Sequence, residues 1–131
     1  MRYKYGKTSE ERLATCHPEI QRLFNSLIED YDVTILCGYR GEEEQNRAFK
    51  EGRSTITYPN GKHNSQPSLA VDCGLYPIDW SDTNRWCLFG GIVMERAKHL
   101  GIKIRWGGDW NGNLKCKDQK FDDLPHWELI L

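Results

Sequence analysis

The stretch Lys62-His63-Asn64-Ser65-Gln66-Pro67-Ser68-Leu69-Ala70-Val71-Asp72-Cys73 leads from a polar segment into a short run of strand-forming residues. From Ser54 to Ser68 the chain is mostly polar or turn-forming, and Pro59-Asn60-Gly61 is a strong turn signal, so His63 sits on or beside a loop. Leu69-Ala70-Val71-Asp72-Cys73 then reads as a strand. Alternation places Leu69, Val71 and Cys73 on one face and Ala70 and Asp72 on the other. A carboxylate inside an otherwise apolar, small-residue strand needs a partner when buried, and a metal ion is a good one.

The flanking sequence supplies the rest of the fold. Thr8-x-x-Glu11 has the form of a capping box, which predicts a short helix carrying Leu13 and Cys16 and ending near His17. Pro18 opens a second helix, in which Ile20, Leu23, Phe24, Leu27 and Ile28 recur at helical spacing. Val33-Thr34-Ile35-Leu36-Cys37 reads as a buried strand stopped by Gly38. Glu42 to Lys50 is helical in propensity, with acids early and a cation late as the helix dipole prefers, and Gly52 is the stop.

Ser81 or Asp82 caps a further helix carrying Trp86, Phe89, Ile92, Val93, Met94 and Ala97, which Gly101 ends. Ile102-Lys103-Ile104-Arg105-Trp106 is another strand, followed by the glycine-rich segment Gly107-Gly108-Asp109-Trp110-Asn111-Gly112-Asn113. A terminal strand from His126 to Ile130 puts His126 and Glu128 on one face and Trp127 and Leu129 on the other. Elements in this order, without regular strand–helix–strand alternation, predict an α+β fold: one small domain spanning residues 1–131, with helices packed on a mainly antiparallel sheet. At 131 residues the chain is long enough to bury most of its apolar surface in one core.

A net charge of −1 argues against a basic nucleic-acid footprint, and neither a secretory leader nor a membrane-spanning stretch is visible. No nucleic acid and no membrane are expected as partners, and the chain is expected to act as a monomer. The five cysteines, Cys16, Cys37, Cys73, Cys87 and Cys116, are odd in number and never in a Cys-x-x-Cys pair. Most are expected to be reduced core residues, with no disulfide framework, as in a protein folded in a reducing cytoplasm.

His63 and Asp72, with Asp123-Leu124-Pro125-His126 far downstream, provide two imidazoles, one carboxylate and a spare acid. Three such ligands leave the fourth corner of a zinc tetrahedron to water, which is the arrangement of hydrolytic zinc sites; structural zinc sites are usually closed by four protein ligands. Asp123 is the candidate general base, with Asp122 and Glu128 as rivals; Glu128, sharing a strand face with His126, is alternatively the carboxylate that orients the imidazole. Arg40 is either a group contacting substrate and oxyanion or an ion-pair partner of Glu42, Glu43 or Glu44. His17, before Pro18, and His99, late in a helix, are read as structural. Asp109-x-Asn111-x-Asn113 spaces oxygen ligands like the start of a calcium loop, but position 12 is Lys120, which excludes an EF-hand and favours a glycine-rich turn carrying Trp106 and Trp110 beside the cleft.

These pieces, His63…Asp72 with Asp123-x-x-His126, preceded by Gly38-Tyr39-Arg40 and Gln45, resemble the zinc D-Ala-D-Ala carboxypeptidase and dipeptidase superfamily, which has the hedgehog/DD-peptidase fold. Within it the chain is most similar to phage L-alanyl-D-glutamate endopeptidases, from about Pro18 onward, with Trp106-Gly107-Gly108-Asp109-Trp110 as a further matching piece. The resemblance implies zinc on His63, Asp72 and His126, Asp123 as general base, Arg40 at the substrate or oxyanion, and Gln45, Ser65, Ser68, Trp106 and Asp109 as substrate contacts. Two departures stand out: Gly61 occupies a place where the family commonly has serine, and the interval from His63 to Asp72, with eight residues between, is longer than usual. Many members also carry glutamate where this chain has Asp123.

The function so implied is hydrolysis of the L-alanyl-D-glutamate amide of the peptidoglycan stem peptide by an endolysin held in the host cytoplasm until a holin opens the membrane. A D,D-carboxypeptidase or dipeptidase on the same scaffold is the nearest alternative. A non-catalytic wall-binding module that keeps zinc for stability, and more remotely a metal-dependent nuclease, are readings of other classes.

Overall fold

The computed structural model describes residues 3–116 and 122–131. Its helices are α1 (Lys7–Leu13), α2 (Pro18–Ile28), α3 (Glu42–Lys50) and α4 (Thr83–Leu100), and its strands are β1 (Val33–Cys37), β2 (Ala70–Leu75), β3 (Ile104–Trp106) and β4 (His126–Leu129). The strands form one antiparallel sheet in the order β1-β2-β4-β3. The α+β expectation and each strand stand, with boundaries moved by one or two residues.

One face of the sheet is apolar and the other polar, as alternation requires. Val71, Cys73, Ile104, Trp106, Trp127 and Leu129 point into the core with Val33 and Ile35 of β1. Trp127, fully buried on the inner strand β4, meets Phe24 of α2 and Phe89 of α4 edge-on at 6.2 and 5.5 Å between ring centroids, and stacks on Trp106 at 6.0 Å. Helix α2 adds Ile20, Leu23, Leu27 and Ile28, each buried side chain contributing about 1.5–3 kcal/mol. The opposite face carries Asp72, His126, Glu128 and Arg105.

Two local expectations change. Thr8 does not cap α1: the helix begins at Lys7 with Gly6 as its N-cap, and no side chain caps it. It also ends at Leu13 rather than near His17, because residues 15–17 turn to meet the segment before β2; Ser68 N donates to Thr15 O and His17 N to Ser68 O, both at 2.9 Å. His17 is itself a helix cap, its Nδ1 accepting from Glu19 N at 3.1 Å. Asp82 caps α4 as expected, and Gly101 closes it in the left-handed conformation.

The cysteine expectation is corrected in part. Cys16 and Cys73 are buried and free and Cys37 is free, but Cys87 and Cys116 form a disulfide that ties α4 to the loop after β3. No local spacing announces this bridge, because its halves are 29 residues apart and meet only through the packing of α4 beside β3.

Gly90 of α4 is where that packing is tightest. A Cβ built there would lie 2.5 Å from the Trp106 indole, and one built on Gly108 would lie closer still to the same ring. Gly90→Ala should therefore destabilise the protein by about 1–3 kcal/mol, the usual cost of overpacking, measured by urea denaturation. Replacing Cys87 with serine should lower stability by about 3–4 kcal/mol on the chain-entropy account, and reduction of the parent with dithiothreitol should shift its urea midpoint to match.

Candidate metal centre and cleft

His63 lies in a 3₁₀ turn, Lys62–Asn64, and Asp72 and His126 are direct cross-strand partners on β2 and β4. A register irregularity between Ile35 and Cys37 brings Cys37 opposite Asp72 and carries Gly38 O to His63. His63 Nδ1 donates to Gly38 O at 2.7 Å, which leaves Nε2 as the bare nitrogen; His126 Nε2 donates to Glu128 Oε1 at 2.8 Å, which leaves Nδ1 bare. These bare atoms and Asp72 Oδ1 form a nearly equilateral triangle. Its edges are 3.1 Å (His63 Nε2 to Asp72 Oδ1), 3.2 Å (His63 Nε2 to His126 Nδ1) and 3.2 Å (His126 Nδ1 to Asp72 Oδ1).

The donor set fits a metal ion. A tetrahedral zinc with bonds of about 2.0–2.1 Å has donor-to-donor edges of about 3.3–3.4 Å, close to this triangle. Two imidazole lone pairs facing each other in a buried place repel unless a cation lies between them, and the carboxylate supplies the compensating charge. A proton can answer the same lone pairs in place of a metal. Burial pushes the His63 imidazole down, but the Asp72 charge and hydrogen bond prevail and raise it to about 10. Asp72, which burial alone would raise, is held well below the usual carboxylate range by His63 and His126.

A layer of charge supports the triangle. Glu128 is buried and accepts from Arg105 Nη2 at 2.6 Å as well as from His126, with Lys62 Nζ 3.7 Å away. Burial would raise its carboxyl, yet the hydrogen bonds from His126 and Arg105 lower it to about 2. Glu128 thus stands where a carboxylate orients the His126 imidazole, with both of its oxygens engaged. Arg40 binds Asp72 Oδ2 at 3.3 Å and Gln45 Oε1 at 3.1 Å, rather than any of Glu42, Glu43 or Glu44. Asn64 ties the set together: its Nδ2 donates to Arg40 O at 2.9 Å and Gln45 Oε1 at 3.2 Å, while its Oδ1 accepts from Gly61 N at 2.8 Å.

Asp123 stands just before β4, its Oδ2 3.8 Å from His126 Nδ1. Burial, then the negative charge of Asp72, raise its carboxyl to about 6 against the opposing pull of His126, His63 and Arg40. It opens, with Arg40 and Asp72, onto a cleft of about 600 Å³ whose far walls include Trp80 and Pro125. A smaller cavity on the other side is shared by Arg40, Asp123, His63, His126 and Trp110. Trp110 lies 5.5 Å from the His126 ring, between centroids, with the Arg105 guanidinium 5.4 Å from its own ring, so the aromatic loop does flank the site.

The expected substrate contacts fare differently. Ser68 is fully buried and its hydroxyl donates to Ala70 O at 2.7 Å, so it braces the long segment before β2 instead of meeting a ligand. Gln45, 1% exposed, donates to Ser54 Oγ and Ile56 O at 3.0 and 2.7 Å and positions Arg40. Trp106 is a core residue whose Nε1 donates to Leu124 O at 2.7 Å, holding the main chain beside Asp123. Asp109 accepts from Asn113 N at 3.1 Å and Leu114 N at 2.9 Å and shapes its own loop. Ser65 is half-buried after the 3₁₀ turn. Lys120 lies outside the described residues. Asn64, Lys62 and Arg105 were missed in the sequence because each acts on a residue far away along the chain.

A family model described as phage L-alanyl-D-glutamate peptidase matches residues 1–130. The chain belongs to this family. As a phage L-alanyl-D-glutamate peptidase family member it is 34% identical over 124 residues to the L-alanyl-D-glutamate peptidase of Escherichia phage T5, a match covering 91% of this chain and 90% of the relative. It is 35% identical over 114 residues to the peptidoglycan L-alanyl-D-glutamate endopeptidase CwlK of Bacillus subtilis (strain 168), covering 76% of this chain and 61% of that one. The crystal structure of the Serratia marcescens L-Ala D-Glu endopeptidase ChiX superposes with a TM-score of 0.74 over 97% of this chain and 90% of its own, at 22% identity, a likeness of fold.

The protons that His63 and His126 hold compete with a metal for the same lone pairs. Titrating chelator-treated protein with Zn²⁺ in buffers of different ionisation enthalpy should show proton release, with affinity rising with pH until His63 loses its proton at about 10. A pH-independent affinity would contradict this ligand set.

Proposed function

We propose that the protein is a zinc-dependent peptidoglycan peptidase that hydrolyses the L-alanyl-D-glutamate amide of the stem peptide. The observation that carries this is the His63–Asp72–His126 triangle, which offers three lone pairs to one ion beside two cavities that Asp123 and Arg40 both line. Membership of the family supports the substrate, since the phage T5 and Bacillus subtilis relatives are L-alanyl-D-glutamate peptidases.

His63, Asp72 and His126 would hold the zinc, which when bound supplies a Lewis acid that acidifies water and polarises the scissile carbonyl. Asp123 is the base: it takes the proton of the attacking water and returns it to the leaving amine. Its carboxyl, at about 6, is ionised at neutral pH yet close enough to that pH to give the proton back. Arg40 hydrogen-bonds the developing oxyanion, held for that task by Gln45 and Asn64. Glu128 keeps the His126 ring in the tautomer that presents Nδ1.

Residues 1–131 hold all the proposed catalytic groups, and action on the wall as a monomer is part of this proposal. The relationship to the phage T5 peptidase supports synthesis in a host cytoplasm and action on the wall after holin-mediated release. Among the described residues no helix is long and apolar enough to cross a membrane.

Digestion of purified sacculi by zinc-loaded protein should create new N-terminal D-glutamate, identified by mass spectrometry; released D-alanine without it would show a D,D-carboxypeptidase instead. Asp123→Asn should lower kcat by about 10²–10⁴-fold with zinc content unchanged. An Asp123→Asn variant as active as the parent would remove Asp123 from the reaction.

A further inference from the structure

We propose that Arg53, assisted by Arg47, forms the subsite that recognises the free carboxylate of the D-glutamyl residue, and so sets the specificity of the site. The inference rests on the peptidase function proposed above. Acylation of its amine by L-alanine leaves a glutamyl residue with two carboxyl groups, of which at most one continues the chain. A negative charge therefore lies within a few bonds of the scissile nitrogen, and a peptidase for this bond needs a cation at matching distance from its metal ligands.

The cleft provides cations in that place. Arg40, Arg47 and Arg53 line the cavity that Asp72 and Asp123 also line, together with Glu44 and Asp122, and Arg53 also lines the smaller cavity bounded by His63 and His126. Arg40 is engaged by Asp72 and Gln45. Arg47, in the last turn of α3, has no side-chain partner among the described residues. Arg53 meets Glu51 at 2.8 Å, but both side chains are more than half exposed, at 56% and 51%. Such a pair is worth about 0–1 kcal/mol and yields readily to a ligand carboxylate that is partly desolvated in the cleft.

The backbone under Arg53 is built to hold it there. Gly52 takes the left-handed conformation, φ 78°, and turns the chain back over the end of α3, with Arg53 N donating to Ala48 O at 2.8 Å. Beyond it, Ser54 Oγ and Ile56 O are both bound by the buried Gln45 amide, the same side chain whose oxygen holds Arg40. One buried glutamine thus ties the Arg40 guanidinium to the segment that follows Arg53.

The test uses zinc-loaded protein and two synthetic N-acyl-L-alanyl-D-glutamyl peptides, one with the free carboxylate and one with that group as a carboxamide. The parent should prefer the carboxylate substrate by about tenfold or more in kcat/KM. Arg53→Gln should lose about tenfold on the carboxylate substrate, mainly through KM, and change little on the carboxamide; Arg47→Gln should do the same more weakly, and Arg53→Lys should restore part of the loss. A parent indifferent to the carboxylate, or variants that weaken both substrates equally at unchanged zinc content, would overturn the assignment. Cleavage of neither peptide by the zinc-loaded parent would overturn it together with the peptidase function, and is thereby distinguishable from cleavage without discrimination.

Discussion

Asp72 and His126 face each other because β2 and β4 pair antiparallel in one register, Ala70 with Glu128, Val71 with Trp127, Asp72 with His126. A slip of one residue would send every side chain of one strand to the opposite face, exchanging Trp127 for His126 in the core. The apolar face forbids that slip, since Trp127 fits between Phe24, Phe89 and Trp106 and no imidazole could replace it there. The packing of the core thereby sets the geometry of the polar site on the other side of the same strands. Precision comes from the sheet, and chemistry from the residues that alternation turns outward.

Burying an acid and two imidazoles is costly unless each is answered. Every member of the triangle has a partner behind it: Gly38 O for His63, Glu128 for His126, Arg40 for Asp72. Those partners are answered in turn, Glu128 by Arg105, and Arg40 by Gln45. Removing an outer member leaves a buried charge uncompensated, so the network behaves as one unit and its effects will not add. Asp123 alone stands apart from this matching, raised by burial and by the neighbouring Asp72 charge, which suits the base role proposed for it.

Much of this was legible in the residues. Alternation within Leu69–Cys73 and His126–Ile130 put Asp72 apart from the apolar set and paired His126 with Glu128 on one face, and both facts hold in the sheet. The apolar spacing of α2, the Asp82 cap and the Gly101 stop were equally local. What failed was of another kind: Thr8 has a capping-box pattern, yet contacts of residues 15–17 with Ser68 and the start at Gly6 decide where α1 lies. Ser68, Gln45 and Trp106 belong to the matching motif pieces but serve as scaffold, a distinction that burial alone reveals.

The chain by itself determined the element types and the two-faced strands, because these follow from periodicity and from residue types within a few positions of one another, and it singled out His63, Asp72 and His126 as candidate ligands by their chemistry and their matching motif pieces. Tertiary structure decided the rest: which imidazole nitrogen is bare, that Arg40 answers Asp72, that Cys87 and Cys116 are joined, and that Arg53 overlooks the site. Each of these depends on the distance between groups remote in sequence, and such distances come into being only when the core packs and fixes the sheet register.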